Sequence, residues 1–180
     1  MYSYRADLDA LVVHAVQFIA SGEEILSPYF DAILHTREER QDYMQEAYHF
    51  HCDCPACSLE AEAREASDQR RARISDLKDV IEGWYQETVE PEEALAAIEE
   101  ALDLYEKEGY NVSLGSWYVY GIAISAAHQD PESVKKWAQK AAARYVIESG
   151  RDSPDLRSIN IISANPQVAG AWGTRDVRVF

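Results

Sequence analysis

The sequence has no long hydrophobic run. No stretch of its 180 residues approaches the roughly 20 consecutive apolar residues that a membrane-spanning helix needs. Met1 is followed by Tyr-Ser-Tyr-Arg-Ala-Asp, which is not the basic and then apolar pattern of a secretory signal peptide. These two absences predict an intracellular protein, located in the nucleus or the cytoplasm.

Cysteine is scarce as well. The chain has three cysteines, and all of them lie between positions 52 and 57. A disulfide framework would favour an even number of cysteines spread along the chain. Three clustered cysteines are more typical of metal binding in a reducing compartment.

Basic residues are outnumbered by acidic ones, 17 to 32, so the formal net charge is −15. A field of this sign repels phosphate, and it therefore disfavours nucleic acid as a direct partner. The same field would attract a basic, lysine-containing protein tail. The simpler interpretation is that the acidic residues only keep a helical surface soluble. With 47% hydrophobic and 27% charged residues, the chain is an ordinary globular protein with one core or two small ones.

The three cysteines follow a C-x-C-x-x-C pattern at Cys52, Cys54 and Cys57. Structural zinc takes four thiolate or imidazole ligands at the corners of a tetrahedron, and three sulfurs at this spacing can fill three corners. We therefore expect a zinc site that lacks one ligand. His49 and His51 could each offer a nitrogen as the fourth ligand. An imidazole at His51, which is adjacent to Cys52, would strain a compact site, and we favour solvated histidines at both positions.

The region around the cysteines carries further motifs. They are Gly22-Glu23-Glu24-Ile25 with Tyr29 downstream, Glu38-Glu39-Arg40, and Tyr48-x-Phe50-x-Cys52-x-Cys54-x-x-Cys57. Together they resemble the C-terminal end of a SET domain running into its post-SET motif. The likeness is to the SET and MYND type of protein lysine methyltransferase and to fungal SET proteins with helical repeats. It covers about a third of the chain, roughly residues 7–58.

The resemblance implies roles for three aromatic residues. Tyr29 matches the tyrosine that contacts the methyl-transfer centre, where a phenol can orient the lysine amine. Tyr48 and Phe50 match an aromatic pair that forms a lysine-channel wall and a platform for the adenine of S-adenosylmethionine. For all three residues, packing against the core or the cysteine turn is the alternative. Pro28 departs from the family pattern, which more often has Ser or Asp before the tyrosine.

In that family, a glycine-bearing S-adenosylmethionine loop and an Asn-His-Ser-Cys segment precede these motifs, and the cysteine of that segment usually supplies the fourth zinc ligand. Neither occurs among these 180 residues. The resemblance therefore implies the C-terminal part of a methyltransferase. We expect S-adenosylmethionine to bind only in a full-length SET context and the 180-residue chain alone to be inactive.

Residue patterns predict an α+β fold that is mostly α. Strands are predicted at residues 11–19 and 24–29, and a helix capped by Thr36 should run to about Ala47. After Cys57 we expect amphipathic helices, with Pro91 starting one and Asp130-Pro131 another. Residues 165–180 have a loop-like composition. The predicted divisions are 1–35, the C-terminal part of a SET domain; 36–58, a post-SET helix and cysteine knuckle; and 59–180, a helical domain.

A weak repeat is present in the helical part. Trp117, Tyr120, Gly121 and Ile124, followed by Trp137, match the spacing of a tetratricopeptide repeat with softened residue types. Two functional hypotheses follow from the sequence. The first is the C-terminal portion of a SET-family protein lysine methyltransferase, and the second is a non-enzymatic module whose helical hairpins bind a peptide while the SET remnant serves as a scaffold.

Overall fold

The structure is a computed structural model that describes residues 2–180, apart from the side chain of Ser3. Met1, the first residue of the predicted SET part, lies outside the described residues. The fold is α+β and mostly α, as predicted. Its elements are β1 (Tyr2–Arg5), β2 (Ala10–Val13), α1 (Arg37–Tyr48), α2 (Ala61–Tyr85), α3 (Pro91–Lys107), α4 (Leu114–Ala127), α5 (Pro131–Glu148) and α6 (Pro154–Ala164), with 3₁₀ turns at Ala32–Leu34 and Pro166–Val168.

The two strands form an antiparallel hairpin in which Tyr2 pairs with Val13 and Tyr4 with Leu11. The sequence prediction of the strands was largely wrong. Only the beginning of the predicted strand 11–19 is a strand, β1 was not predicted, and residues 24–29 form no strand. The physical reason is that strand formation depends on a hydrogen-bonding partner, and in the described residues β1 pairs only with β2.

Helix α1 begins where its capping residues predict. Thr36 accepts a hydrogen bond from the Glu39 amide, and the Glu39 carboxylate accepts one from the Thr36 amide at 2.7 Å. The helix ends at Tyr48, one residue beyond the predicted end, because His49 turns into the left-handed conformation with φ 60°. Helix α1 thus delivers the chain directly to the cysteines.

The helices after residue 60 pack around one hydrophobic core. The apolar stripe of α2, formed by Ile74, Leu77, Ile81 and Trp84, is buried there, in line with the amphipathic helices expected after Cys57. Pro91 and Pro131 occupy the first turns of α3 and α5, as predicted. The sequence analysis missed α6, although Ser153 caps it by accepting a hydrogen bond from the Leu156 amide and Pro154 follows at the first helical position.

Helices α4 and α5 approach each other closely at Gly121. A Cβ atom at this glycine would lie 2.4 Å from Cδ2 of Trp137, so the indole ring occupies the space that a side chain would need. Gly121 and Trp137 are two of the residues that match the repeat spacing. The tetratricopeptide assignment itself stays a prediction.

The C-terminal segment is loop-like, as predicted, and it covers helix ends. The amides of Gly173, Arg175 and Arg178 donate hydrogen bonds to the last two carbonyls of α4 and to that of its C-cap residue His128, each at 3.0 Å. The Arg175 guanidinium also lies over the Trp84 ring and donates to the Trp84 carbonyl at 2.6 Å. This segment therefore ties the C-terminal ends of α2 and α4 together.

Within residues 2–180, none of the helices combines the length and the apolar character that crossing a bilayer requires.

Candidate metal centre and aromatic surface

The three cysteines converge after α1. Their sulfur atoms all lie within 4.8 Å of one another. A zinc ion with Zn–S bonds of about 2.3 Å in a tetrahedron needs sulfurs about 3.8 Å apart, so small side-chain adjustments suffice to bind it. The donor set fits zinc in chemistry and in spacing, and it supplies three of the four ligands of a structural site.

A tight turn brings Cys57 back towards the other two cysteines. The amides of Cys57 and Ser58 both donate to the Cys54 carbonyl at 2.9 Å, and the Ser58 hydroxyl donates to the Asp53 carbonyl at 2.8 Å. Cys57 is buried, whereas Cys52 and Cys54 are partly exposed. The open side of the cluster is therefore the side of Cys52 and Cys54.

The environment of these two thiols differs. Burial raises the pKa of Cys52 to about 11. Burial also acts on Cys54, but hydrogen bonds, chiefly from the Cys57 amide and from the Cys52 and Cys57 thiols, outweigh it and lower the pKa of Cys54. The pKa values of these two neighbouring thiols are thus shifted in opposite directions.

Helix α1 holds the cysteine turn with three side chains. The Gln41 amide donates to the Cys52 carbonyl at 2.6 Å and accepts from the Cys52 amide at 2.9 Å. The Arg37 guanidinium donates to the Cys57 carbonyl at 2.7 Å. Arg40 contacts the Cys57 sulfur itself, with Nη2 at 3.8 Å. Because all three side chains lie on one face of a capped helix, the turn has a rigid support.

The two neighbouring histidines do not join the cysteine group. His49 is the exposed C-cap residue of α1, and His51 is exposed as well. Among the described residues, the metal-ligand group consists of the three cysteines alone. A fourth protein ligand, if one is used, is not supplied by these histidines in this arrangement.

The aromatic residues singled out from the sequence come together beside this turn. The Tyr29 ring centre lies 4.8 Å from that of Tyr48 and 5.7 Å from that of Phe50. Tyr43 extends the group, 6.2 Å from Tyr48. Tyr29 is 55% exposed and Tyr48 is 45% exposed, so these rings line a surface and are not core residues. We call Tyr29, Tyr43, Tyr48 and Phe50 the aromatic surface.

The aromatic surface and the cysteine cluster are attached to the helical part through polar contacts. The Arg37 amide at the start of α1 donates to the Asp68 carboxylate on α2 at 2.6 Å. Arg71, also on α2, donates to the Ala32 carbonyl at 2.9 Å. These bonds cross the predicted boundary at residues 58 and 59.

Sequence reasoning missed the supporting residues Arg37, Arg40, Gln41 and Asp68. The signal available was the spacing of Arg37, Arg40 and Gln41, which places them on one face of a helix. The partners that they contact in the cysteine turn and on α2 lie 11 to 31 residues away along the chain. A helix-face pattern alone does not identify such partners.

The chain was compared with known proteins. No family model matches it. It is 28% identical over 177 residues to histone-lysine N-methyltransferase set5 of Schizosaccharomyces pombe, a match that covers 92% of this chain and 52% of the relative. N-lysine methyltransferase SMYD2-B of Xenopus laevis is 30% identical over 151 residues, covering 74% of this chain and 34% of the relative. Human SMYD2 is 28% identical over a similar span.

The chain is a homologue of the SET-domain lysine methyltransferases. This confirms the resemblance that the motifs predicted. The similarity extends well beyond residues 7–58, because the longest match covers 92% of the chain and so includes much of the helical part. The chain spans about half the length of the fission yeast relative and about a third of the frog relative.

Proposed function

We propose that this chain forms the C-terminal portion of a SET-family protein lysine methyltransferase that uses S-adenosylmethionine. The observation that carries the proposal is that the rings of the aromatic surface gather at the residues directly ahead of the cysteine cluster in the chain, and that the chain is homologous to such enzymes. The substrate class we propose is a protein lysine in a basic tail, which the net charge of −15 would attract.

The proposed roles follow from the contacts on the aromatic surface. Bound S-adenosylmethionine would supply the electrophilic methyl group. Tyr29, packed against Tyr48, would hold the lysine amine in line for transfer through its phenol oxygen. Tyr48 would form a wall of the lysine channel, and Phe50 would offer a flat face to the adenine. These three side chains act by binding, orienting and excluding water.

The proposed metal role is structural. Cys52, Cys54 and Cys57 would hold zinc next to the residues that line the aromatic surface, and the fourth ligand would come from outside these three residues. Metal analysis of the purified chain tests this. We expect less than one zinc per chain, and less still in Cys54→Ser. One tightly bound zinc per monomer would mean that this chain contains a fourth ligand, and His49 and His51 would be the first to examine.

We also propose that these 180 residues are inactive by themselves. Stacking of adenine on Phe50 contributes about 1–3 kcal/mol, judged from base stacking on aromatic platforms. A millimolar affinity already requires about 4 kcal/mol. Calorimetric titration with S-adenosylmethionine should therefore show no measurable binding. Micromolar affinity would contradict the proposed inactivity, and turnover by wild type and Tyr29→Phe would then be compared.

The alternative is a non-enzymatic module that binds a basic peptide through its helices. The observation that favours it is an open groove along the end of α2, which Asp76, Asp79 and Glu82 line together with Val80 and Val89. Titration of the chain with a fluorescent lysine-rich peptide discriminates between the two functions. Binding that is lost in Asp76→Asn with Asp79→Asn but retained in Tyr29→Phe would support the module.

A further inference from the structure

We infer that Arg40 and Gln41 of α1 are positioning residues that set the metal affinity of the cysteine cluster. The inference rests on the proposed zinc site and goes beyond its ligands. Both side chains are nearly fully buried, Arg40 at 5% and Gln41 at 9% exposure, although α1 is a largely exposed helix. Buried polar side chains on such a helix need partners, and these two find them in the cysteine turn and, for Arg40, also at the His35 carbonyl.

Gln41 fixes the main chain of the first cysteine. Its amide group pairs with both polar groups of the Cys52 backbone, at 2.6 Å to the carbonyl oxygen and 2.9 Å from the amide nitrogen. Because two hydrogen bonds to one residue determine its orientation as well as its position, Cys52 is placed relative to Cys54 and Cys57 before a metal arrives. Preorganisation of this kind lowers the conformational entropy that metal binding must remove.

Arg40 acts on the last cysteine and on its turn. Its Nη1 donates to the His35 carbonyl at 2.8 Å, and its Nη2 lies 3.4 Å from the Ala56 carbonyl oxygen and 3.8 Å from the Cys57 sulfur. One planar guanidinium thus connects His35, which lies just ahead of the N-cap of α1, with the cysteine turn and a candidate metal ligand. Among the described residues, Arg40 is the cationic side chain that contacts a cysteine sulfur.

The positive charge of Arg40 is opposite in sign to the net charge of a zinc-bound cysteine cluster. Three thiolates and one Zn²⁺ carry a net charge of −1, and the Arg40 guanidinium at the Cys57 sulfur offsets it. Asp68 lies 4.0 Å from Arg40, and the Arg37 guanidinium, 2.7 Å from the Cys57 carbonyl, is a second cation near this cysteine. Since the sulfur at Cys57 is buried, water screens this interaction less than it would at the surface. Loss of Arg40 should therefore weaken metal binding.

The test is the Zn²⁺ affinity of the full chain, measured by competition with a chromophoric chelator. Gln41→Glu retains an acceptor for the Cys52 amide but places a carboxylate against the Cys52 carbonyl. Arg40→Met removes the cation and keeps an unbranched side chain. We expect each change to weaken Zn²⁺ binding by roughly 10- to 100-fold, the effect of mutating residues that orient metal ligands.

Two matched controls accompany these variants. Gln45→Glu makes the same change one turn further along α1, at an exposed residue, and Arg151→Met removes an exposed arginine from a distant turn. Both should bind Zn²⁺ within about twofold of wild type. Helical circular dichroism of the metal-free proteins shows whether Arg40 and Gln41 act through the fold. Equal helical signals with different affinities would support the inference.

Cobalt provides a second readout that a purely structural role would not change. The cation at the Cys57 sulfur stabilises its lone pairs, so Arg40→Met should move the sulfur-to-cobalt charge-transfer band of the Co²⁺-loaded chain to longer wavelength. Gln41→Glu should leave the band in place, because Gln41 contacts only the backbone of Cys52. A wild-type chain that binds neither metal would refute the zinc site itself. If the wild-type chain binds Zn²⁺, the Zn²⁺ affinities of both variants lie within threefold of it, and Arg40→Met shows no band shift, this inference is refuted while the zinc site stands.

Discussion

Glu108 at the end of α3 is predicted to be the most sensitive polar residue of the helical part. Its carboxylate accepts hydrogen bonds from the Ser67 hydroxyl at 2.8 Å and from Arg70 Nε at 2.7 Å, and it lies 2.8 Å from Arg71 Nη2. The side chains of Glu108 and Arg71 are only 3% and 4% exposed. Burial lowers the pKa of Arg71, which indicates how poorly this site solvates the charge.

Replacement of Glu108 by Ala leaves the Arg71 guanidinium buried without its carboxylate. Breaking a buried ion pair from one side costs about 3–5 kcal/mol, because the remaining charge is uncompensated. Helices α2 and α3 also share an exposed pair, in which Arg73 Nε lies 2.7 Å from Glu100 and the side chains are 48% and 44% exposed. Glu100→Ala should cost only about 0.2–1 kcal/mol, since solvent screens this pair.

Urea denaturation at pH 7, followed by helical circular dichroism, measures both changes in the free energy of unfolding. The two variants remove the same type of side chain between the same two helices, so their difference reports the buried contacts of Glu108 with Ser67, Arg70 and Arg71. A double variant, Arg71→Met with Glu108→Leu, should recover part of the lost stability, because the charge left without a partner, on Arg70, is 31% exposed and can be solvated. If Glu108→Ala costs no more than Glu100→Ala, the reasoning about buried charge is wrong.

Three further predictions concern the helical part. Gly121→Ala should destabilise the chain by about 1–3 kcal/mol because its Cβ would meet Trp137, whereas Gly170→Ala, which has open space, should change the melting temperature little. Hydrogen bonds from backbone amides outweigh burial and lower the pKa of Asp130, so its stabilisation is present above pH about 3.9 and is lost on further acidification. Asp130→Asn should therefore reduce the loss of stability between pH 5 and pH 3. Residues 59–180 alone should melt cooperatively with strong helical circular dichroism, whereas residues 1–58 alone should be disordered or aggregate. An unfolded 59–180 fragment would contradict the predicted boundary between residues 58 and 59.

Local signals allowed much of this structure to be predicted. The Thr36 capping box fixes the start of α1, and the C-x-C-x-x-C spacing brings three sulfurs together, because both depend on residues a few positions apart. The strands could not be placed, since the pairing of Tyr2 with Val13 depends on a turn and on partners that periodicity does not reveal. Residues that support the site from far along the chain, such as Asp68, could not be predicted either, because local patterns do not identify their partners.

We propose above all that this chain supplies the C-terminal part of a lysine methyl-transfer centre. The most direct measurement uses a chimaera in which this chain replaces the matching half of the fission yeast relative, with transfer of labelled methyl from S-adenosylmethionine to a lysine-containing protein as the readout. We expect methyl transfer by this chimaera, and we expect Tyr29→Phe to lower it by about 100-fold, because misplaced reactants react far more slowly. Tyr85→Phe, at a tyrosine of similar exposure on α2, should leave transfer unchanged. A folded chimaera that transfers no methyl group, or one in which Tyr29→Phe has no effect, would contradict the account.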